Sequence, residues 1–417
     1  MFEFDEEFTQ LEKKAQSRCK EQFCLANQNF EANQKKVLKA FIKNKVSSNH
    51  LSGSTGYGYG DAGRETIERV YADVFGSESA LVRHTFTCGT HALATCLFGI
   101  LRPGDRLLCV TGEPYDSMVE VIGLRGEGGG SLKDFGILYS QIELKEGNLD
   151  FEEIKSQSRG AKVVYLQKSC GYSHRNSIDV KQIARLVEIV KNEAPDAVIL
   201  VDNCYGEFVA KQEPCEVGAD LCVGSLIKNP GGGIARTGGY IVGRKDLVGL
   251  CANRLTAPGL GAEVGCSLNL NRELLLGLFL APQAVLNAVK SAIFCASLFD
   301  LLGFETLPKW NEPRSDVVQG VILKSRENLK AFCRGVQAAS PIDSFVIPED
   351  WDMPGYSDQI IMAAGTFTMG ATIESSADGP IKEPFIAFFQ GGLTFLSGKL
   401  CVMEAAWRVC NEPSSRK

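Results

Sequence analysis

The 417-residue sequence lacks the patterns that mark several common classes of protein. No run of lysine and arginine exceeds two residues and the net charge is −6, which argues against a nucleic-acid or anionic-membrane partner. The most apolar stretch, Leu274–Ala281, stops at Pro282, well short of the roughly 20 residues that span a bilayer. The acidic N-terminus has no signal-peptide pattern. We therefore expect a cytoplasmic protein with neither kind of partner.

The sequence also lacks the cysteine and histidine spacings of metal sites and disulfide frameworks. Its fifteen cysteines are an odd number without any Cys-x-x-Cys pair, and Cys109, Cys222 and Cys251 lie within apolar runs. The four histidines form no i,i+4 pair. These patterns predict buried free thiols in a reducing compartment and no bound metal.

Secondary-structure patterns predict an α/β protein with three regions. Residues 1–50, which contain no glycine or proline up to residue 48, are expected to form an N-terminal helical arm. In residues 51–265, short apolar strands alternate with helices, which predicts a mostly parallel sheet in a large domain. Residues 266–417 are expected to hold an interdomain helix and a smaller C-terminal α/β domain, with a helix over 317–332.

An acid and an amine each follow an apolar strand of the large domain. Asp202 ends the run Val198–Asp202, and Lys228 follows the run beginning at Leu221. Ligands of parallel sheets bind at the carboxyl ends of strands. In a pyridoxal phosphate (PLP) enzyme, a lysine forms the Schiff base and an aspartate keeps the pyridine nitrogen protonated. Taken alone, Lys228 fits a surface lysine in a glycine-rich loop better, because most isolated Ser-x-x-Lys strings are incidental.

Further side chains at strand ends could complete such a site. Gly89 and Thr90 start a predicted helix, where free N–H groups bind phosphate, although they are also compatible with an ordinary N-cap. Ser225, three residues before Lys228, could reach the same phosphate. Tyr115 follows another strand and could stack on a flat ring or simply pack in its loop.

A glycine-rich loop precedes the first helix of the large domain. Gly58–Gly63 matches the G-x-G-x-x-G pattern of dinucleotide-binding proteins, but no buried strand comes before it, so we do not expect NAD binding. Tyr57, Tyr59 and Arg64 border the loop and are suitable ligands for phosphate.

Together, these residues give the chain a resemblance to the fold-type I PLP enzymes, which have the aspartate aminotransferase-like fold. Within that class it resembles the methionine γ-lyase or cystathionine β-lyase-like family, also known as aluminium resistance proteins. The matching strings, which extend over nearly the whole chain, are residues 53–64, 168–173, 201–207, 228–233, 237–244 and 390–393.

The resemblance implies roles for these residues. It implies Lys228 as the Schiff base, Asp202 at the pyridine nitrogen and Tyr115 stacked on the ring. It also implies a homodimer or homotetramer in which Tyr57 or Tyr59 reaches the phosphate of the neighbouring subunit. The implied activity is that of a carbon–sulfur lyase acting on a sulfur amino acid such as cystathionine, methionine or cysteine.

Three alternatives stay open at this stage. Lys228 could remove the Cα proton with a pKa lowered by burial and the cationic ring, which serves β- and γ-elimination alike. The same machinery also suits aminotransfer or replacement chemistry. A PLP-binding protein with a regulatory or metal-tolerance role is the third, because no arginine that binds the substrate carboxylate can be assigned. The candidates Arg314, Arg326 and Arg334 lie in no matching motif.

Overall fold

The computed structural model describes residues 2–126, 128–353, 356 and 358–411. The helices within these ranges are α1 (Glu6–Arg18), α2 (Lys20–Lys43), α3 (Ala62–Phe75), α4 (Gly89–Ile100), α5 (Asp116–Ile122), α6 (Phe151–Gln157), α7 (Val180–Glu193), α8 (Lys245–Leu255), α9 (Asn271–Leu301), α10 (Arg326–Ala338) and α11 (Phe395–Asn411). The strands are β1 (Ser79–Arg83), β2 (Arg106–Cys109), β3 (Leu138–Gln141), β4 (Val163–Gln167), β5 (Val198–Asp202), β6 (Leu221–Ser225), β7 (Gly239–Gly243), β8 (Glu305–Leu307), β9 (Gln319–Ile322), β10 (Ile360–Ala363), β11 (Ser376–Pro380) and β12 (Ile386–Gln390).

The N-terminal arm is helical, as predicted, and packs against the rest of the chain. Asp5 caps α1 by accepting a hydrogen bond from the N–H of Phe8 at 2.8 Å. Phe8 and Ala15 are buried in the same apolar cluster as Phe294 of α9 and Phe332 of α10. Burial of these side chains attaches the arm to the C-terminal region through the hydrophobic effect.

The large sheet has seven strands in the order β1-β7-β6-β5-β4-β2-β3. Strands β2 to β6 run parallel, and β7 runs antiparallel to both of its neighbours. Apolar side chains of α4 and α8 cover one face, and those of α6 and α7 cover the other. Coverage on both faces explains why the strand sequences are apolar runs rather than alternating ones.

The register of the parallel strands places the predicted polar residues at one edge. Gln167 pairs with Asp202 across β4 and β5, and Asp202 pairs with Val223 of β6. The carboxyl ends of these strands are therefore neighbours, and Asp202 lies beside the segment that leads from Ser225 to Lys228.

Helix α9 corrects the prediction that the apolar stretch stops at Pro282. The helix continues through this proline over 31 residues, and buried Leu278, Ala281 and Val285 anchor it on both sides of Pro282. Among the described residues it is the one helix long and apolar enough to cross a membrane, but 78% of its most apolar window is buried inside the protein. That burial is typical of a core helix, and packing overrides the local effect of proline.

The small sheet has five antiparallel strands in the order β10-β11-β12-β9-β8. The helix predicted over 317–332 is wrong, because this segment forms β9 and then the start of α10. Val321 and Ile322 belong to a short apolar run whose spacing fits either structure. The helix begins only after Ser325, whose side chain accepts a hydrogen bond from the N–H of Asn328.

Candidate active site

A cavity of about 340 Å³ lies between the carboxyl ends of the large sheet and strands of the small sheet. Its lining includes six of the residues predicted from the sequence, namely Gly89, Thr90, Tyr115, Asp202, Ser225 and Lys228. Its size falls at the lower end of the range of small-molecule sites.

Lys228 and its neighbour Asn229 both contact the loop that follows β5. The Nζ of Lys228 lies 3.6 Å from the centre of the Tyr205 ring, a cation–π contact. The neighbouring Asn229 donates from Nδ2 to the carbonyl oxygens of Tyr205 and Glu207 at 2.9 and 3.0 Å. Tyr205 has a φ of 72°, which is uncommon for a residue with a side chain. These contacts fix the position of the amine relative to the loop after β5.

The protein groups around Lys228 favour its ammonium form. Burial alone lowers the pKa of Lys228, but neighbouring Tyr205, Cys204 and Asp202 raise it above its ordinary value. The expected lowering applies to the amine beside the cationic ring of the cofactor and stays a prediction.

Asp202 is a buried acid at the end of β5. One carboxylate oxygen accepts from the N–H of Cys204 at 3.1 Å, and the other accepts from the hydroxyl of Tyr165 at 3.4 Å. Burial raises the pKa of Asp202, and hydrogen bonds from Cys204 and the charge of Lys228 oppose that rise. A buried carboxylate of this kind gains most from a cationic partner, which is what a protonated pyridine nitrogen provides.

The start of α4 has the features of a phosphate site. The hydroxyl of Ser225 is buried and has no hydrogen-bond partner among the described residues. Thr90 and Ser117 share a hydrogen bond of 2.8 Å between their hydroxyl oxygens. A Cβ at position 89 would lie only 3.3 Å from the sulfur of Cys204, so Gly89 suits this tight approach. The unpaired hydroxyl and the free N–H groups fit the phosphate of PLP.

Tyr115 lines the cavity, and its stacking on the cofactor ring stays a prediction. Its N–H donates to Oε1 of Gln167 at 3.0 Å. Burial raises the pKa of Tyr115 well above its ordinary value, and the charge of Asp202 raises it further. The hydroxyl is therefore neutral.

The residues of the glycine-rich loop do not line this cavity within their own chain. Tyr57 and Tyr59 are 77% and 64% exposed, and their rings lie 5.7 Å apart. The guanidinium of Arg64 donates to the carbonyl oxygens of Gly58, Glu263 and Gly265, and its role as a phosphate ligand stays a prediction. The predicted reach of the tyrosines into a neighbouring subunit stays a prediction.

No arginine of the described part of the chain lines the cavity. Arg326 pairs with Asp350, Arg334 pairs with Glu349, and Arg314 donates to Gln319. The sequence interpretation missed several cavity residues of both domains, namely Ser117, Tyr172, Tyr205, Tyr356, Asp378 and Gln390. Tyr172, Tyr205 and Gln390 do fall within the strings that carried the resemblance, which was the available signal.

The order of the strands, the buried Lys228 and Asp202, and the phosphate site at the start of α4 are those of a fold-type I PLP-dependent enzyme. Comparisons with known proteins agree with this class. The sequence model described as methionine gamma-lyase matches residues 8–410, so the chain belongs to that family. It is 49% identical over 378 residues to the uncharacterized protein YnbB of Bacillus subtilis, covering 90% of each. The sequence-based predictions of fold, family and cofactor are confirmed.

Solved structures give the same result. A putative cystathionine beta-lyase involved in aluminum resistance from Clostridium acetobutylicum has 43% identity and a TM-score of 0.94, covering 97% of this chain and 96% of that one. A similarly described protein from Listeria monocytogenes has 48% identity and a TM-score of 0.94, covering 96% and 100%. The PLP-dependent protein YhfS from Escherichia coli, at 15% identity and a TM-score of 0.60 over 92% and 96%, shares the fold alone.

Proposed function

We propose that the protein is a PLP-dependent carbon–sulfur lyase that acts on a sulfur amino acid by β- or γ-elimination. The observation that carries the proposal is the meeting of Lys228, Asp202 and the unpaired hydroxyl of Ser225 in one cavity. Membership of the methionine gamma-lyase family and the likeness to putative cystathionine beta-lyases support it.

The cavity residues have separate tasks in this proposal. When bound, the cofactor supplies an aldehyde for Lys228 and for the substrate amine, and a ring that accepts the electron pair left at Cα. Asp202 holds the proton on the ring nitrogen and so keeps the ring electron-poor. Gly89, Thr90 and Ser225 bind the phosphate, and Tyr115 covers the ring.

Lys228 moves the protons of the reaction. Its amine, once released from the cofactor, takes the proton from Cα and can return it to the departing group or to a later carbon. A sulfur at Cβ leaves after one proton removal, whereas a sulfur at Cγ requires a second. One amine can therefore carry out both reactions. The cation–π contact with Tyr205 stabilises this amine when it is protonated.

The proposal also covers location and assembly. We place the protein in the cytoplasm because its thiols are free and many are buried.

We propose a homodimer or homotetramer in which the exposed Tyr57 and Tyr59 complete the phosphate site of a neighbouring subunit. The variant with both Tyr57→Phe and Tyr59→Phe tests this shared site. Weaker binding of the cofactor by this variant would support the site, and unchanged binding would contradict it.

A substrate panel tests the reaction. Cystathionine, methionine and cysteine would each be mixed with the holoprotein, and pyruvate, 2-oxobutyrate and free thiol would be measured. Pyruvate with thiol indicates β-elimination, and 2-oxobutyrate with thiol indicates γ-elimination. Conversion of an added 2-oxo acid to an amino acid would indicate aminotransfer instead, and a new thioether would indicate replacement. Cofactor binding without any turnover would favour a regulatory PLP-binding protein.

A further inference from the structure

Asp378 is an acid of the small sheet that the proposed reaction does not use. It lies in the middle of β11, opposite Met362 of β10 and Phe388 of β12, and its side chain lines the cavity. One carboxylate oxygen accepts from Nε2 of Gln390 at 3.1 Å. The other oxygen, Oδ1, is buried and has no hydrogen-bond partner among the described residues. An unpaired buried carboxylate oxygen is costly unless a ligand satisfies it.

The charges of the cavity leave Asp378 without a cation of its own. Among the described lining residues, the side chains that carry charge are Lys228, Asp202 and Asp378. In the proposed function, Asp202 holds the cofactor ring and Lys228 carries protons at the reacting carbons. Asp378 is then the one charged group of the described lining that has no task in the reaction. No arginine of the described lining accompanies it, and its natural complement is a positive group on the substrate.

The aromatic rings beside Asp378 also favour a positively charged group on the substrate. Tyr172 lies 5.3 Å from Phe388 and 5.7 Å from Tyr356, measured between ring centres, and all three rings line the cavity. The hydroxyl of Tyr172 also lies beside the carboxylate of Asp378 and favours its charged form, but its geometry is not that of a hydrogen bond to Oδ1. Aromatic faces next to an acid attract ammonium groups by cation–π and ionic interactions together.

We propose that Asp378 binds a cationic group at the distal end of the substrate side chain, so that the site favours amino acids whose sulfur substituent carries an amine. This proposal rests on the proposed carbon–sulfur lyase function and names its substrate class. Asp378 would act as a specificity-determining residue, because it recognises a group remote from the bond that breaks.

A matched pair of thioethers tests the proposal. S-(2-aminoethyl)-L-cysteine and S-propyl-L-cysteine differ by an ammonium in place of a methyl group. Binding to the holoprotein would be followed by the change in visible absorption, above pH 7, where Asp378, with a pKa of about 7, is ionised. We expect the amino compound to bind at least about tenfold more tightly, as for a hydrogen bond to a charged group.

Variants separate recognition from folding. Asp378→Asn should reduce the preference to about twofold or less while binding of the propyl compound stays within about threefold, and Asp378→Glu should restore part of it. Asp358→Asn, which removes an acid paired with Lys382 outside this cavity, is the matched control and should keep the full preference. Equal binding of both compounds by the wild-type protein, no binding of the amino compound, or an undiminished preference in Asp378→Asn would overturn the proposal.

Product assays distinguish this result from a failure of the proposed function. Thiol and pyruvate would be measured in the same samples. A preference that depends on Asp378 without release of thiol would uphold the recognition site and contradict the lyase. Release of thiol from both compounds at equal affinity would uphold the lyase and contradict the recognition site.

Discussion

The two sides of the cavity differ in what they contribute. The large-domain side presents Asp202, Ser225 and Lys228 from the ends of adjacent strands. The small-domain side presents Asp378 and Phe388 from antiparallel strands. In the two proposals, the first side holds the groups that bind the cofactor and move protons, and the second holds the acid that selects the substrate. Substitution on each side tests this division.

The largest effect is expected from Lys228 on the large-domain side. Lys228→Ala removes both the covalent link to the cofactor and the proton carrier, so kcat/KM should fall by about 10⁴-fold. The visible absorption of the lysine-bound cofactor should also disappear. Lys382→Ala, which removes a half-exposed lysine paired with Asp358, is the control. Substantial turnover by Lys228→Ala would contradict the division between the two sides.

Asp202→Asn should have the next largest effect. The amide cannot keep the ring nitrogen protonated, so kcat should fall by about 10²- to 10³-fold while the cofactor remains bound. Steady-state kinetics and the absorption spectrum of the same samples check both parts. If kcat changed no more in Asp202→Asn than in Asp358→Asn, the role of Asp202 would be refuted.

Ser225→Ala should weaken cofactor binding more than turnover. Its buried hydroxyl has no partner in the described chain, and a hydrogen bond to a charged phosphate predicts about a tenfold rise in the dissociation constant of PLP. Equilibrium dialysis measures that constant, and kcat at saturating cofactor should change little. Ser173→Ala, at an exposed serine that does not line the cavity, should leave the constant unchanged.

The same contrast explains what could be predicted from the sequence. Asp202 and Lys228 follow apolar runs that form parallel strands, and ligand sites lie at the carboxyl ends of such strands. Their positions therefore followed from local pattern and a general rule. The antiparallel placement of β7 and the edge strand β3 did not follow, because strand order depends on contacts between distant segments.

Asp378 shows why the small-domain side was missed. The string Ser376–Pro380 contains glycine and proline and is typical of a turn, yet it forms the strand β11. A Cβ at Gly379 would lie 2.4 Å from the carbonyl oxygen of Ile386, so close packing against the neighbouring strand favours glycine there. Tertiary pairing overrides the local preference, and an acid in an apparent loop gave no sign that it lines a cavity.

The last effect concerns stability rather than activity, and it depends on the small-domain side of the cavity. Burial raises the pKa of Asp378 from 3.8 to about 7, although Lys228, Tyr172 and Gln390 oppose that rise. The folded protein thus keeps a proton that the unfolded chain releases, so this group's stabilising contribution is lost as pH rises from 3.8 through about 7. Asp378→Asn lacks this titration.

Urea unfolding of the wild-type protein and of Asp378→Asn across that range measures the difference. The difference in free energy of unfolding, variant minus wild type, should increase as pH rises. This increase should level off above about pH 7. Asp358→Asn, at an ion pair on the surface, serves as the matched control. Parallel curves for Asp378→Asn and the wild type would show that the carboxylate is already satisfied in the folded chain. It would then have no need of a substrate cation, and the contrast between the two sides would lose its strongest support.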